Sequence, residues 1–261
     1  MPGANHWISC IPVSWKPHWL LSKSDFIDAI SLRFNLMPSN SPLICRSNNC
    51  SKPMTMAHMD SCTNGGIITK RHDYIKNIIA KYSEKAFGLS SVTIEPHLGE
   101  LSEEEKEMIS GNNSDRARAD IAIMDYSGAQ KCSYFDVSVI SPICDTHKDS
   151  SVEKLLSKIE RKKNDLYAKR VRNHLGSDFY PIILTSGGAL GPMAKKLIKD
   201  IANKLSRTSY QTKAFHISEI KSDLSMSLIK SRVIGLRANR NNISSQLNDL
   251  RYSQYTCGLD K

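Results

Sequence analysis

Between residues 115 and 142, apolar positions alternate with polar or small ones in two short runs, 119–124 and 133–140, flanking a polar turn that contains Ser127 and Gly128. That pattern predicts an antiparallel hairpin. Side chains alternate across a strand, so Asp120 shares a face with Ala122 and Asp136 shares one with Ser138, while Ile121, Ile123, Phe135, Val137 and Val139 point the other way. The two acids can therefore meet on one side of the hairpin.

On either side the period becomes helical. Ser22 or Ser24 can cap a helix carrying Phe26, Ala29, Ile30, Arg33 and Phe34 before Pro38 stops it. Tyr74, Ile75, Ile78, Ile79, Tyr82 and Ala86 form the stripe of a helix over 69–87, ended by Gly88, and a strand follows at 91–95. Beyond the hairpin, Ser150 or Ser151 caps a helix that runs to about Leu175 and is closed by Gly176, with Val152, Leu155, Leu156, Ile159 and Leu166 as its buried stripe. A strand over 180–185 and helices over 193–206 and about 218–237 complete the pattern. Residues 1–20, with Trp7, Trp15 and Trp19 among prolines, read as an irregular packed arm. Residues 103–107 and 111–114 read as an acidic, then turn-rich, loop, and the stretch beyond Asn241 as a loose polar tail. The predicted architecture is α/β, an αβββαβ core with a mixed sheet and helices on both faces. It divides the chain into 1–68, a core over 69–240, and a tail over 241–261.

Composition narrows the class. With 261 residues, 40% of them hydrophobic, and no apolar run of about 18, a globular protein with a real core is expected rather than a membrane one. Lys and Arg number 36 against 26 acids, a formal charge of +10 that favours a polyanionic partner. The amino-terminal stretch is broken by Pro, Lys and His and does not read as a signal peptide. A reducing compartment, nucleus or cytoplasm, is the expectation.

Of seven cysteines, three lie with a histidine as Cys45-x4-Cys50-x7-His58-x3-Cys62 among turn-forming residues. Three thiolates and an imidazole can close a tetrahedral shell around Zn²⁺ and hold so short a segment folded, with no ligand position left open; free thiols are the alternative. An aspartate in an apolar strand needs a compensating cation or donor. Asp120 and Asp136 can share a hard divalent ion, Mg²⁺ or Mn²⁺, or pair with nearby Arg and Lys. Glu95 can add a third acid or sit at an exposed strand end. Lys163, in the middle of the helical stripe, must snorkel to solvent or meet an acid, with Tyr167 one turn on. Lys70, Arg71 and His72, at the start of the 69–87 helix, and Arg33 are candidate phosphate contacts or plain surface and packing residues. Gly187 and Gly188 are not followed by Gly-Lys-Ser/Thr, which argues against a nucleotide loop.

At this point the residues resemble a family. The element order with Asp120 and Asp136 is similar to the core of PD-(D/E)xK restriction-like nucleases. More closely, the chain resembles the restriction-like endonuclease region of non-LTR retroelements and related retroelement-derived proteins. The matching features are the Cys-Cys-His-Cys knuckle, Gly65-Gly66 with Arg71-His72, Ile94-Glu95-Pro96, residues 118–121, residues 135–139 with Pro142, then Lys163 and Tyr167. Residues 26–33 and 227–233 extend the likeness over nearly the whole chain. The resemblance implies that Asp120 and Asp136 hold Mg²⁺, with Glu95 an auxiliary acid, to hydrolyse a DNA phosphodiester. The general pattern has a lysine two residues after the second acid, where this chain has Ser138, and proline where it has Ala119. In retroelement relatives the lysine is moved to the next helix, the place Lys163 occupies. The resemblance implies DNA as partner, RNA of the same element as a further one, no membrane, and a reverse transcriptase region in a larger polyprotein. The sequence alone leaves two other readings open, a catalytically inactive zinc-containing nucleic-acid-binding module and a structural role in a polyprotein.

Overall fold

Local chemistry sets most element boundaries in the computed structural model, which describes residues 6–10, 16, 19–100, 116–144, 147 and 151–241. The Ser22 hydroxyl accepts from the Asp25 N–H at the start of α1 (Lys23–Arg33), and Thr55 does the same for His58 in the short α2 (Met56–Ser61). Helix α3 (Ile67–Phe87) ends at Gly88, whose φ of 100° favours glycine. Ser151 caps α4 (Val152–Leu175), and Gly176 closes it in the left-handed conformation. Pro192 occupies the first turn of α5 (Pro192–Thr208), which needs no N–H there. Helix α6 (Lys213–Asn241) is longer at both ends than the apolar period indicates. Trp15, the acidic loop and the tail beyond 241 lie outside the described residues.

The strands are β1 (Val92–Ile94), β2 (His97–Glu100), β3 (Arg116–Arg118), β4 (Ile121–Met124), β5 (Cys132–Ile140) and β6 (Asp178–Thr185). Four form a mixed sheet in the order β1-β4-β5-β6, antiparallel except for the β5–β6 pair, which α4 connects. Strands β2 and β3 make a separate antiparallel pair. The strand expected over 119–124 thus begins only at Ile121. Glu95 turns the chain with φ of 53°, its N–H bonds the Asp120 carbonyl at 2.9 Å, and the Ala119 N–H bonds Pro96 at 3.1 Å. These bonds hand the backbone from the small sheet to the large one at the residue that carries a candidate acid.

One face of the large sheet presents Ile121, Ile123, Phe135 and Val137, with Ile182 and Leu184, to Ile75 and Ile79 of α3, Leu197 and Ile201 of α5 and Ile220 and Leu224 of α6. Each fully buried side chain of this kind contributes about 1.5–3 kcal/mol. The other face is covered by α4: Val152 and Leu156 meet Ile183 and Ala189, and Val171 meets Leu98, Ala119 and Phe179. Leu166, expected in that stripe, is instead 39% exposed, because the contact line swings through Tyr167 and Val171 to follow β2 and β6.

A second core joins residues from the first third of the chain to α6. Trp7, Ala29, Leu32, Met54, Met56, Met59 and the buried Cys45 and Cys62 close on Met226, Ile229, Val233 and Leu236. Lys230 lies on the same helix near Asp25, and burial lowers its pKa to about 8. Between about pH 8 and its unfolded value near 10.5, the unfolded chain holds a proton that the folded one has released, so stability should rise with pH across that window. Below it the half-buried ammonium costs stability even with Asp25 nearby. Lys230→Met is therefore expected to raise the melting temperature at pH 7 and to flatten its rise between pH 8 and 10. Melting curves of both proteins at stepped pH check this, and a lower melting temperature for the variant at pH 7 would count against it.

Candidate functional site

The sulfur and nitrogen atoms of Cys45, Cys50, His58 and Cys62 all lie within 4.8 Å of one another. Cys45 Sγ and Cys50 Sγ are each 3.8 Å from Cys62 Sγ, and Cys50 Sγ is 3.3 Å from His58 Nε2. A tetrahedron with Zn–S bonds of about 2.3 Å has sulfur–sulfur edges of about 3.8 Å, so these four groups fit a structural zinc ion. Their environment agrees. Burial raises the Cys62 thiol to about 11 and also lowers the His58 pKa, whereas the Lys52 backbone N–H pulls Cys50 down. Thiols held so close in a poorly solvated place ionise readily only with a cation between them. This cluster could hold a metal such as zinc. Among the described residues no other group of three or more His, Cys, Asp or Glu side chains meets that closeness.

Further along the chain, the hairpin acids sit where β4 begins, opposite the middle of β5. Register pairs Ile121 with Phe135, which sets Asp120 across from Asp136. Because the chain leaves the ladder at Ala119, the Val137 N–H donates to Asp120 Oδ2 at 2.6 Å instead of to a strand carbonyl. The same oxygen lies 3.1 Å from His72 Nε2. Asp136 accepts from the Lys163 ammonium on α4. Burial holds the Asp136 pKa above the usual carboxylate range; Lys163 opposes that shift and neighbouring Asp120 adds to it. The hydrogen bond to Asp120 raises the pKa of His72, against the effect of burial. Two acids of low solvation, with one ammonium and one imidazole, form a site that favours added positive charge.

The remaining sequence candidates divide. Glu95 adjoins the pair through its backbone bond to Asp120, and its half-exposed carboxylate is held by Lys76 at 2.5 Å and approached by Arg118 at 3.7 Å. Tyr167 stands one turn beyond Lys163 with its ring against Phe179, centroids 5.5 Å apart, in an apolar cluster. Of the basic trio on α3, His72 reaches the acids, whereas Arg71 turns inward to Asp60: one Nη donates to the Asp60 carbonyl at 2.9 Å. Lys76 was not legible as a site residue. Burial opposes its charge, but Glu95 and Asp73 outweigh that and raise its pKa. Only its spacing of four from His72 could have placed it on the same helical face.

Compared with known protein families and with curated protein sequences, the chain matches none.

Proposed function

We propose that this chain is a divalent-metal-dependent endonuclease with a restriction-like core that nicks DNA by phosphodiester hydrolysis, in keeping with retroelement target-site cleavage. The observation that carries the reading is the Lys163 ammonium on Asp136, delivered by a different element to the acid opposite Asp120. Among the described residues, every hydrogen bond to the carboxylates of Asp120 and Asp136 falls on Oδ2, leaving an Oδ1 on each for a hard cation. A divalent ion such as Mg²⁺ held there would supply an activated water and neutralise charge building on phosphate. Lys163 then has two tasks at its Nζ: to orient Asp136, and to donate to a phosphate oxygen or the attacking water. Ser138, where the general pattern has lysine, leaves that task to the helix.

Substrate binding follows from charge. Lys158, Arg161, Lys162, Lys169 and Arg172 are exposed along the face of α4 turned away from Lys163, a basic stripe that would draw duplex DNA towards this helix. Plasmid nicking in Mg²⁺ tests the proposal. Asp120→Ala and Asp136→Ala are each expected to lower the rate at least about 100-fold, and Lys163→Met to lower it comparably, while all three bind DNA. Both aspartate variants cleaving at the wild-type rate would overturn the mechanism. Salt-sensitive binding with no cleavage by the wild-type protein in Mg²⁺ or Mn²⁺ would instead favour an inactive nucleic-acid-binding module, the reading that Ser138 keeps open.

A further inference from the structure

Resting on that reading, we propose that His72 is a positioning residue that holds the Asp120 carboxylate in its metal-binding orientation. Two donors converge on a single oxygen: His72 Nε2 at 3.1 Å and the Val137 N–H at 2.6 Å both face Asp120 Oδ2. One donor would leave the carboxyl group free to swing about it. Two, coming from different elements, fix its plane and turn Oδ1 away from them.

The ring is itself held. His72 Nδ1 lies 3.3 Å from Asp73 Oδ1, Asp73 lies 3.2 Å from Lys76 Nζ, and Lys76 reaches Glu95 at 2.5 Å. These contacts run from α3 to the turn before Asp120, so both ends of the acid's setting are tied to one helical face. The preceding residue, Arg71, is 3% exposed and bonded to the Asp60 carbonyl, which anchors the backbone that carries His72. With each ring nitrogen facing a carboxylate, His72 has no N–H left over for a phosphate in this arrangement. Its side chain is 29% exposed and belongs to none of the apolar clusters, so removing it should spare the fold.

Partners of this kind typically alter metal affinity 10- to 100-fold when removed. The test is Mn²⁺ binding to the zinc-loaded full chain, read as loss of the free-ion electron paramagnetic resonance signal, beside nicking rate against Mg²⁺ concentration. His72→Ala should weaken Mn²⁺ binding at least about tenfold and move the Mg²⁺ midpoint up by a similar factor, with the plateau rate largely regained at high Mg²⁺. His72→Gln, whose amide N–H can take the place of Nε2, should recover most of the affinity. A fall in plateau rate at an unchanged midpoint would assign His72 to the substrate instead and overturn the proposal. So would wild-type Mn²⁺ affinity in His72→Ala. If the wild-type chain binds no Mn²⁺ that Asp120→Ala abolishes, the nuclease reading fails and this inference with it. Should His72→Ala not fold, His72→Gln against His72→Leu gives the same comparison, since leucine fills the space without a donor.

Discussion

If Cys45, Cys50, His58 and Cys62 hold zinc, stripping it should unravel residues 42–54 and lower the melting temperature of the whole chain by at least about 10 °C. Up to Met54 the segment has no helix or ladder of its own, whereas α2 beyond it keeps the anchors of Met56, Met59 and Asp60. The segment's backbone bonds amount to a few closures, Cys45 N–H to Lys52 at 2.8 Å, Cys50 N–H to Ser47 at 2.8 Å and Met54 N–H to Leu43 at 2.9 Å, around an isolated bridge from Ile44 to Pro53. Asn48, Asn49 and Ser51 all have positive φ, a conformation that serine rarely adopts unaided. A structural zinc ion contributes about 10–16 kcal/mol of apparent binding energy, far more than these few hydrogen bonds. The loss would not stay local, because Cys45 and Cys62 belong to the core that closes on Met226, Ile229, Val233 and Leu236 of α6. Zinc content, thermal melting and amide hydrogen exchange, followed together during chelation, provide the check. Fast exchange at Cys45, Cys50 and Met54 in step with zinc loss is expected; a zinc-free chain with an unchanged melt and unchanged protection would show that the four residues are free thiols and a surface histidine.

What could be read from the sequence, and what could not, follows the range of the interactions involved. Ser22, Ser151, Gly88 and Gly176 mark helix ends through bonds to residues within one turn, and the sequence displays all four. The Cys/His cluster is legible for the same reason, since its four members fall within 18 residues. Lys163 was placed by a conflict, a charge on an apolar stripe, and its partner proved to be Asp136. Leu166 falls on the apolar stripe and Val171 about 140° away from it, yet the first is exposed and the second fully buried, because what covers the second half of α4 is set by β2 and Phe179. Strand β2 itself is hidden: His97–Glu100 has no alternating pattern, and its partner β3 begins 16 residues after Glu100. Arg71 and His72 are neighbours whose opposite fates depend on residues 11 before and 48 after them. No local pattern can distinguish them.

Asp60 carries the remaining large prediction. Replacing it with alanine should cost about 3–5 kcal/mol, enough to leave a protein of ordinary stability partly unfolded. The carboxylate is 2% exposed and accepts from Arg232 Nε at 2.8 Å, Ser186 Oγ at 2.8 Å and Ser141 Oγ at 3.4 Å, with an Arg71 Nη 4.0 Å away. It thereby joins α2, α3, the ends of β5 and β6, and α6 at one point. Arg71 and Arg232 are themselves buried, at 3% and 8% exposure, so losing Asp60 leaves two guanidinium groups short of their counter-charge in a place water reaches poorly. Asp60→Asn should be nearly as harmful, since it keeps the shape but removes the charge and turns one acceptor into a donor beside three donors. Adding Arg232→Met to Asp60→Leu should restore part of the stability, because an apolar pair costs less than one unpaired ion. Denaturant titration of the single and double variants measures the coupling; strictly additive losses would mean that Asp60 and Arg232 do not act as a pair. Two residues before Cys62 and bonded to the residue before His72, Asp60 also links the Cys/His cluster to the paired aspartates. On the proposed nuclease reading, loosening it should therefore shift the Mg²⁺ requirement for nicking in the direction expected for His72→Ala, even in variants whose folded fraction is restored.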